Sequence, residues 1–397
     1  MKPTFRNIYA LAAALSLTAC VNDDTDFGDV IIDSSFEPVA IAFSNDPAND
    51  GTETIPAGDN DYVENNAFAY TVTITYSNDG AQLSGATTAV TATVDGAHVT
   101  VRSVGRSVHY IVRGESNNGS LKVYNTNKYK LTLDGVTLHN PNGAAINNQC
   151  GKSLYLVLAE GSNNTLSCGA SAQTIVGEDL KGAVFSEGQI ILSGSGMLTV
   201  ESNYRNGIAT DDYLIVRPGN IVNVSSSAGN AIKANDGVEI RGSALNLYTN
   251  APGSKGINSE ADIKVSGGRT TVVVDSDYLI NEVDTTSSAA IKCDSTTYIR
   301  GGRVLLKSNG KGCRGINSNF GINVSGGELK VVTTGIAELS TPYALKSDRD
   351  INVTGGSVYL YSSHGAVSKV AEGYNFIYSP GWASKTERGR WFFEIDY

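Results

Sequence analysis

Between residues 182 and 362 the chain repeats one pattern of apolar, small and polar positions seven times. Val184, Ile208, Ile232, Ile257, Ile291, Ile316 and Leu345 are its anchors, each aliphatic and usually preceded by Gly or Ala. Six and eight residues after each anchor comes an apolar or β-branched pair, from Ile190 and Leu192 in the first row to Ile351 and Val353 in the last. Ten residues on stands a Gly, replaced once by Pro218. The anchors lie 24, 24, 25, 34, 25 and 29 residues apart, so two rows carry insertions on a basic period of 24 to 25. A period in the twenties is the mark of a solenoid. Within one row, such as GINSNFGINVSGGELKVVTT at 315–334, apolar residues recur at every second position and Gly-Gly punctuates the run. That alternation predicts short strands rather than helices, and nothing in a row could form the crossover helix of an ordinary parallel sheet. The rows are therefore expected to stack directly, as an all-β, single-stranded parallel β-helix.

Composition agrees with a turn-rich β protein: 43 glycines, 9 prolines, 2 methionines, and an aromatic content of 8% dominated by 19 tyrosines. Strand signals begin with VAIAF at 39–43 and strengthen from FAYTVTITY at 68–76, which predicts less regular opening rows closing one end of the column. The stretch 373–397 holds both tryptophans, Trp382 and Trp391, and breaks the repeat. It reads as a cap over the last row, where an open end would expose core and strand edges, and either tryptophan could stack on a sugar. The insertions near 275–288 and 335–344 are expected as loops on one face, either framing a binding surface or drifting in exposed turns.

The N-terminus reads Lys2, Arg6, the apolar run IYALAAALSL and then LTAC. This is a signal peptide, too short to span a membrane. Its ending resembles the lipobox of bacterial lipoproteins, in which Cys20 would be acylated and become the mature N-terminus. The acidic run VNDDTDFGD that follows resembles the export tag of surface-exposed lipoproteins, or serves simply as a solvated tether. The expected layout is leader 1–19, lipid-anchored linker 20–40, solenoid 41–370 and cap 371–397. The expected location is the outer membrane, facing outwards, with lipid as the only membrane contact. The net charge of −10 makes nucleic acid an unsuitable partner. Cys150, Cys168, Cys293 and Cys313 have no zinc-ligand spacing and could pair as 150–168 and 293–313 or stay as free thiols.

The succession LTLDGVTLHNPNGAAI (131–146), LYLVLAEGSNNTL (154–166) and KGAVFSEGQIILSGSGMLTVESNYRNGIATDDYLIV (181–216) is similar to a family of secreted bacterial carbohydrate-binding β-helix proteins. That family shares the architecture of pectate lyases. The resemblance covers about 100–363. It implies a right-handed solenoid that binds cellulose-like or acidic plant polysaccharides with calcium associated, and it transfers no catalytic residue.

One column of the repeat could carry chemistry. Three positions after the anchors stand Glu187, Asp211, Asn235, Glu260, Asp294, Asn319 and Asp348, an acid or its amide in every row. One position after them stand Phe185, Ala209, Lys233, Asn258, Lys292, Asn317 and Lys346. With the anchor pointing inward, both columns point outward. At a row spacing of about 4.8 Å the carboxylates repel unless neutralised. Either Lys233, Lys292 and Lys346 neutralise them, with amides as spacers, or Ca²⁺ bridges neighbouring rows. Asp211, Asp212, Asp236 and Glu260 are the preferred metal ligands, and a calcium held there could also take a uronate from the ligand. Tyr204, Tyr213, Tyr248 and Tyr298 offer flat faces for sugar rings, although tyrosine is also an ordinary strand residue.

The expected function is therefore surface-anchored, non-catalytic binding of a uronate polymer or a cellulose-like glucan, alongside other surface glycan-handling proteins. Two rivals remain. A uronate lyase would need a cation and a basic side chain, for which Lys233 is the candidate. A structural adhesin would recognise a protein instead. The four histidines are scattered, and no GxSxG or HExxH occurs.

Overall fold

The computed structural model describes residues 39–48, 53–282, 284–363, 370–378, 383–384 and 392–396. Cys20, the leader, the acidic linker, Trp382 and Trp391 lie outside the described residues. Among the described residues the only helices are two single 3₁₀ turns, Val63–Asn65 and Thr87–Ala89. Everything else that is regular is strand, and the strands form a parallel β-solenoid with three faces.

The anchor face is a twelve-stranded sheet. In it Leu121, Ile146, Val184, Ile208, Ile232, Ile257, Ile291, Ile316, Leu345 and Ala371 follow one another in parallel register. The seven predicted anchors thus form one inward column, each at most 1% exposed. Burying such a side chain is worth about 1.5–3 kcal/mol, and the column repeats that gain in every row. The other two faces belong to a 21-stranded sheet, continuous because Tyr129–Asn140, Gly321–Thr333 and Ile351–Ser362 run through the corner unbroken. The second face carries the predicted apolar pairs inward, in register from Ile190 through Leu214, Val238, Ile263, Thr297 and Ile322 to Ile351.

Small residues at two sites make this stacking close enough. Before each anchor the interior admits only Ala or Gly: a Cβ on Gly256 would meet Val272 Cγ1 of the third face at 2.0 Å, and one on Gly315 would meet Val331 Cγ1 at 2.1 Å. At the corner between the second and third faces, Gly268 adopts φ +70°, and a side chain there would also strike Ser243 O of the row beneath.

Two positions after each anchor the column Ser186, Thr210, Ala234, Ser259, Cys293, Ser318 and Ser347 is buried. Its polar members serve the following bend: Ser259 Oγ accepts from Ala261 N at 3.2 Å, and Ser347 Oγ accepts from Arg349 N at 3.1 Å. The four described cysteines are free and buried, so neither expected bridge forms. Cys293 belongs to this inward column, and its Sγ donates to Ala261 O at 3.2 Å.

At both ends antiparallel strands pair with part of the stack and cover those strand edges. At the start Tyr70–Ser77 pairs with Gly80–Gly85, and Thr91–Asp95 pairs with Ala97–Ser103. At the end Phe392–Asp396 pairs antiparallel with Ile351–Ser362. The row Ala371–Glu372 and Phe376–Tyr378 still continues the parallel stack, so the repeat reaches past residue 370.

The stretch expected to hold the first strand does something else. Residues 39–43 are in no sheet, and the first strand is Tyr70–Ser77. The described residues 39–48 and 53–69 form a strap along the outside of the solenoid. Val39 N donates to Tyr359 Oη, Arg269 Nη2 donates to Ala42 O, and Tyr155 Oη donates to Asn60 O. Val63 and Phe68 pack on a satellite cluster of outward residues, Tyr155, Ile191 and Ile215, each at most 2% exposed. These apolar side chains face away from the main core, and the strap keeps them from water.

Candidate functional site

The column three positions past the anchors exists as expected on the outside of the anchor face, and from Asp211 onward its carboxylates are paired with lysines. Lys233 Nζ lies 3.3 Å from Glu260 Oε1. Lys292 Nζ lies 2.6 Å from Asp294 Oδ1 and donates to Asn319 Oδ1 at 2.7 Å. Lys346 bridges Asp348 and Glu372. Amides tie neighbouring rows together, Asn235 Nδ2 donating to Asp211 Oδ1 at 3.3 Å and Asn319 Nδ2 to Asp294 Oδ1 at 3.2 Å. Lys alternates with Asn from Lys233 to Lys346, and Asp211, Glu260 and Asp294 each find a donor one row away in Asn235, Lys233 and Asn319.

The four acids singled out for calcium are not brought together. Asp211 faces Lys181 and Asn235, and Glu260 faces Lys233. Asp212 Oδ1 accepts from Tyr213 N at 2.8 Å, which closes its own turn. Asp236 is exposed and lines a separate open cleft of about 490 Å³ with Asp61, Tyr213, Glu239, Asp262 and Lys264. The acid group that does converge among the described residues is Asp179, Glu187 and Asp211, with ligand atoms within 4.8 Å of one another. A cation already stands in it. Lys181 Nζ is 2.7 Å from Asp179 Oδ2 and 2.6 Å from Asp211 Oδ1. Burial pulls the Lys181 pKa down, but the two carboxylates outweigh it and hold the ammonium above its usual range. Glu187 is pushed up by burial and by the charges of Asp211 and Asp179. With Lys181 seated there, this donor set does not fit a calcium ion.

Lys181 and Asp179 carry no repeat signal, because both belong to the loop between Asn163–Cys168 and Gly182–Ser186. That loop folds over the anchor face. Glu178 on it takes Lys122 Nζ at 2.8 Å and the Tyr124 hydroxyl, and Arg102 stacks on Tyr124 with 3.8 Å between guanidinium carbon and ring centre. The two insertions also meet each other. Ser287 Oγ lies 2.7 Å from Ser340 Oγ, and Lys311, from the turn between them, reaches Glu338 Oε2 at 3.1 Å.

The strap supplies charged residues that pattern reading missed. Arg217, buried at 5% exposure, is held by Glu53 at 2.9 Å and Glu64 at 2.8 Å. Tyr62 lies under both Arg217 and Arg241, at 4.5 and 5.3 Å from guanidinium carbon to ring centre. Tyr213 is committed here, its hydroxyl donating to Asp61 Oδ1 at 2.6 Å.

Of the other tyrosines, Tyr204 is half-buried against the core with Arg205 over its ring, and Tyr298 lies beside Arg300. Tyr248 stands on the third face beside the strap. Lys233, the sole lyase candidate, is an ion-paired surface side chain.

A stretch of 134 residues is 31% identical to a carbohydrate-binding domain-containing protein of Acetivibrio thermocellus, covering 32% of this chain and 47% of that protein. The chain thus matches about half the length of that relative. The solved structure of a polysaccharide lyase-like protein from C. thermocellum, a gadolinium derivative, aligns with 68% of this chain and 96% of that chain at 21% identity and a TM-score of 0.38. Residues 95–366, well over half of the chain, match the family of carbohydrate-binding domain-containing proteins, and the protein belongs to that family.

Proposed function

We propose that this protein holds polysaccharide against the outer faces of its solenoid and does no chemistry on it. The observation that carries the reading is the register of the anchor face. Lys233, Asn258, Lys292, Asn317 and Lys346 form one outward column, flanked by Asn235, Glu260, Asp294, Asn319 and Asp348. Such a row of amide, ammonium and carboxylate groups at about 4.8 Å intervals offers repeated hydrogen bonds to a ligand that is itself a repeat. Lys233, the candidate base for elimination, is partly buried and already engaged by Glu260 at 3.3 Å, which favours binding over elimination in this reading.

The surface anchor at Cys20 remains part of the proposal.

The test is affinity electrophoresis of the mature chain in polygalacturonate and in neutral glucan gels, with calcium or with chelator, while absorbance is followed for unsaturated product. Retardation without new absorbance is the expected result. Rising absorbance would make the protein a lyase, and no retardation in any gel would favour the adhesin. Loss of retardation in chelator would restore a role for calcium.

A further inference from the structure

Residues 43–45 of the strap cross the third face over the strands Met197–Ser202, Ile221–Ser226 and Ala244–Thr249. An open groove of about 440 Å³ lies between them. Its floor is an outward column in register, Thr199, Asn223 and Asn246, and the next column brings Ser225 and Tyr248 to one wall. Phe43, 47% exposed, belongs to the strap side.

The polar groups divide into two sets. Asn246 is spent on holding the strap: its amide nitrogen donates to Ser44 O, Asn45 Oδ1 and Asn223 Oδ1, and its oxygen accepts from Ser44 N. Among the described residues Asn223 uses only its oxygen, which leaves its two amide hydrogens for a ligand. The hydroxyls of Thr199, Ser225 and Tyr248 form no hydrogen bond with the described residues. Four uncommitted donors or acceptors therefore surround a groove that also offers two aromatic rings.

Charge decides what fits. The anchor face is laced with ion pairs, but no Asp, Glu, Lys, Arg or His lines this groove. The nearest carboxylate in register is Glu201, exposed at the rim beside Ser225. A uronate would find no cation in the lining and a like charge at the edge. A neutral pyranose instead presents apolar C–H faces for Phe43 and Tyr248, and hydroxyls for the amide and the three hydroxyl groups.

We propose that this groove is a subsite for a pyranose unit of a neutral glycan, separate from the charged anchor face, with Phe43 and Tyr248 as stacking residues and Asn223, Thr199 and Ser225 as hydrogen-bonding residues. It rests on the reading of the protein as a glycan binder. The column explains why the site is built here: Thr165 precedes Thr199 in it, Thr271, Leu305 and Lys330 follow Asn246, and the adjacent pair of amides occurs only at Asn223 and Asn246 among these rows.

The experiment compares the mature chain with Tyr248→Ala, Tyr248→Phe and Asn223→Ala, using hydroxyethylcellulose and polygalacturonate in affinity gels and thermal melts for folding. Tyr248→Ala and Asn223→Ala should each weaken retention on hydroxyethylcellulose tenfold or more. Tyr248→Phe should keep most of it, polygalacturonate retention should stay unchanged, and the melts should coincide. If the unaltered chain binds polygalacturonate but not hydroxyethylcellulose, or if the alanine variants bind it as the unaltered chain does, the subsite is wrong while the glycan-binding reading stands. If the unaltered chain binds neither polymer, both fall.

Discussion

Lys181 Nζ lies 2.6 and 2.7 Å from the two carboxylate oxygens of Asp211, on the outer corner of the anchor face. One side chain from an irregular loop thus neutralises the place where the repeat concentrates acid. Removing it should turn a self-contained cluster into a cation site. In Lys181→Ala the carboxylates of Asp179, Glu187 and Asp211 remain within reach of one another with no ammonium between them. Partly exposed as the pair is, the loss should be about 1–3 kcal/mol in chelator, with millimolar calcium restoring much of it. The unaltered chain should show no calcium response at this site. Thermal melts with and without calcium decide it, and a variant indifferent to calcium would refute the account. Because the folded pKa of Lys181 is raised, its contribution is fully present below pH 10.5 and fades as the ammonium titrates above it.

Lys255 is the opposite case. It is only 9% exposed, its Nζ donates to Gly253 O, and no carboxylate among the described residues pairs with it. Burial, with Lys292 and Arg314 nearby and Asp294 opposing them, pulls its pKa down from 10.5 to about 8. Between those two values the unfolded chain binds more protons than the folded one, so stability should rise with pH across that window. Lys255→Met should raise stability at pH 7 by about 1–3 kcal/mol and flatten that rise, as read from denaturant titrations at pH 7 and pH 10. A variant less stable than the unaltered chain at pH 7 would show that the ammonium is needed.

Gly256 tests the spacing of the rows. A methyl group there would sit 2.0 Å from Val272 Cγ1 and 2.7 Å from Ala290 O, so neither a side chain nor the backbone could easily give way. Gly256→Ala should therefore cost about 1–3 kcal/mol despite the gain in helix-independent chain stiffness that Gly→Ala usually brings. The paired change Gly256→Ala with Val272→Ala should recover part of that loss. Urea unfolding of the single and double variants measures both.

The strap should be separable from the solenoid. Arg217→Ala leaves Glu53 without its closest partner, removes one of two cations from the Tyr62 ring and loosens the cover over Tyr155, Ile191 and Ile215. Hydrogen exchange should accelerate at 53–69 by at least tenfold while the strands of the anchor face keep their protection. Uniform acceleration through the rows would instead mean that the strap is needed for the solenoid itself. Acid should act in the same direction. Burial raises the Glu64 pKa, but the bond from Arg217 outweighs it and the net value is lowered, so this contribution is present above pH 4.5 and lost below it.

The seven anchors, the apolar pairs six and eight residues later and the small residues between were legible because each row obeys the same local rule. Strand alternation assigns a side chain to inside or outside, and stacking repeats the assignment. The outward acid and lysine columns followed from the same periodicity. The strap was not legible, because 39–69 has no period: its side chains are chosen by the row each happens to cross, as Tyr62 is by Arg217 and Arg241. The grouping of Asp211 was likewise hidden, since its partner Lys181 lies outside the repeat.

By itself, then, the sequence determined the solenoid, its register and which columns face water, since these depend on residues a fixed number of positions apart. Only the tertiary structure decided which of the outward charges are already paired, where 39–48 and 53–69 lie and that an uncharged groove opens beside Tyr248. Those outcomes depend on distances between segments without common periodicity, such as Ser44 and Asn246, which no local rule relates.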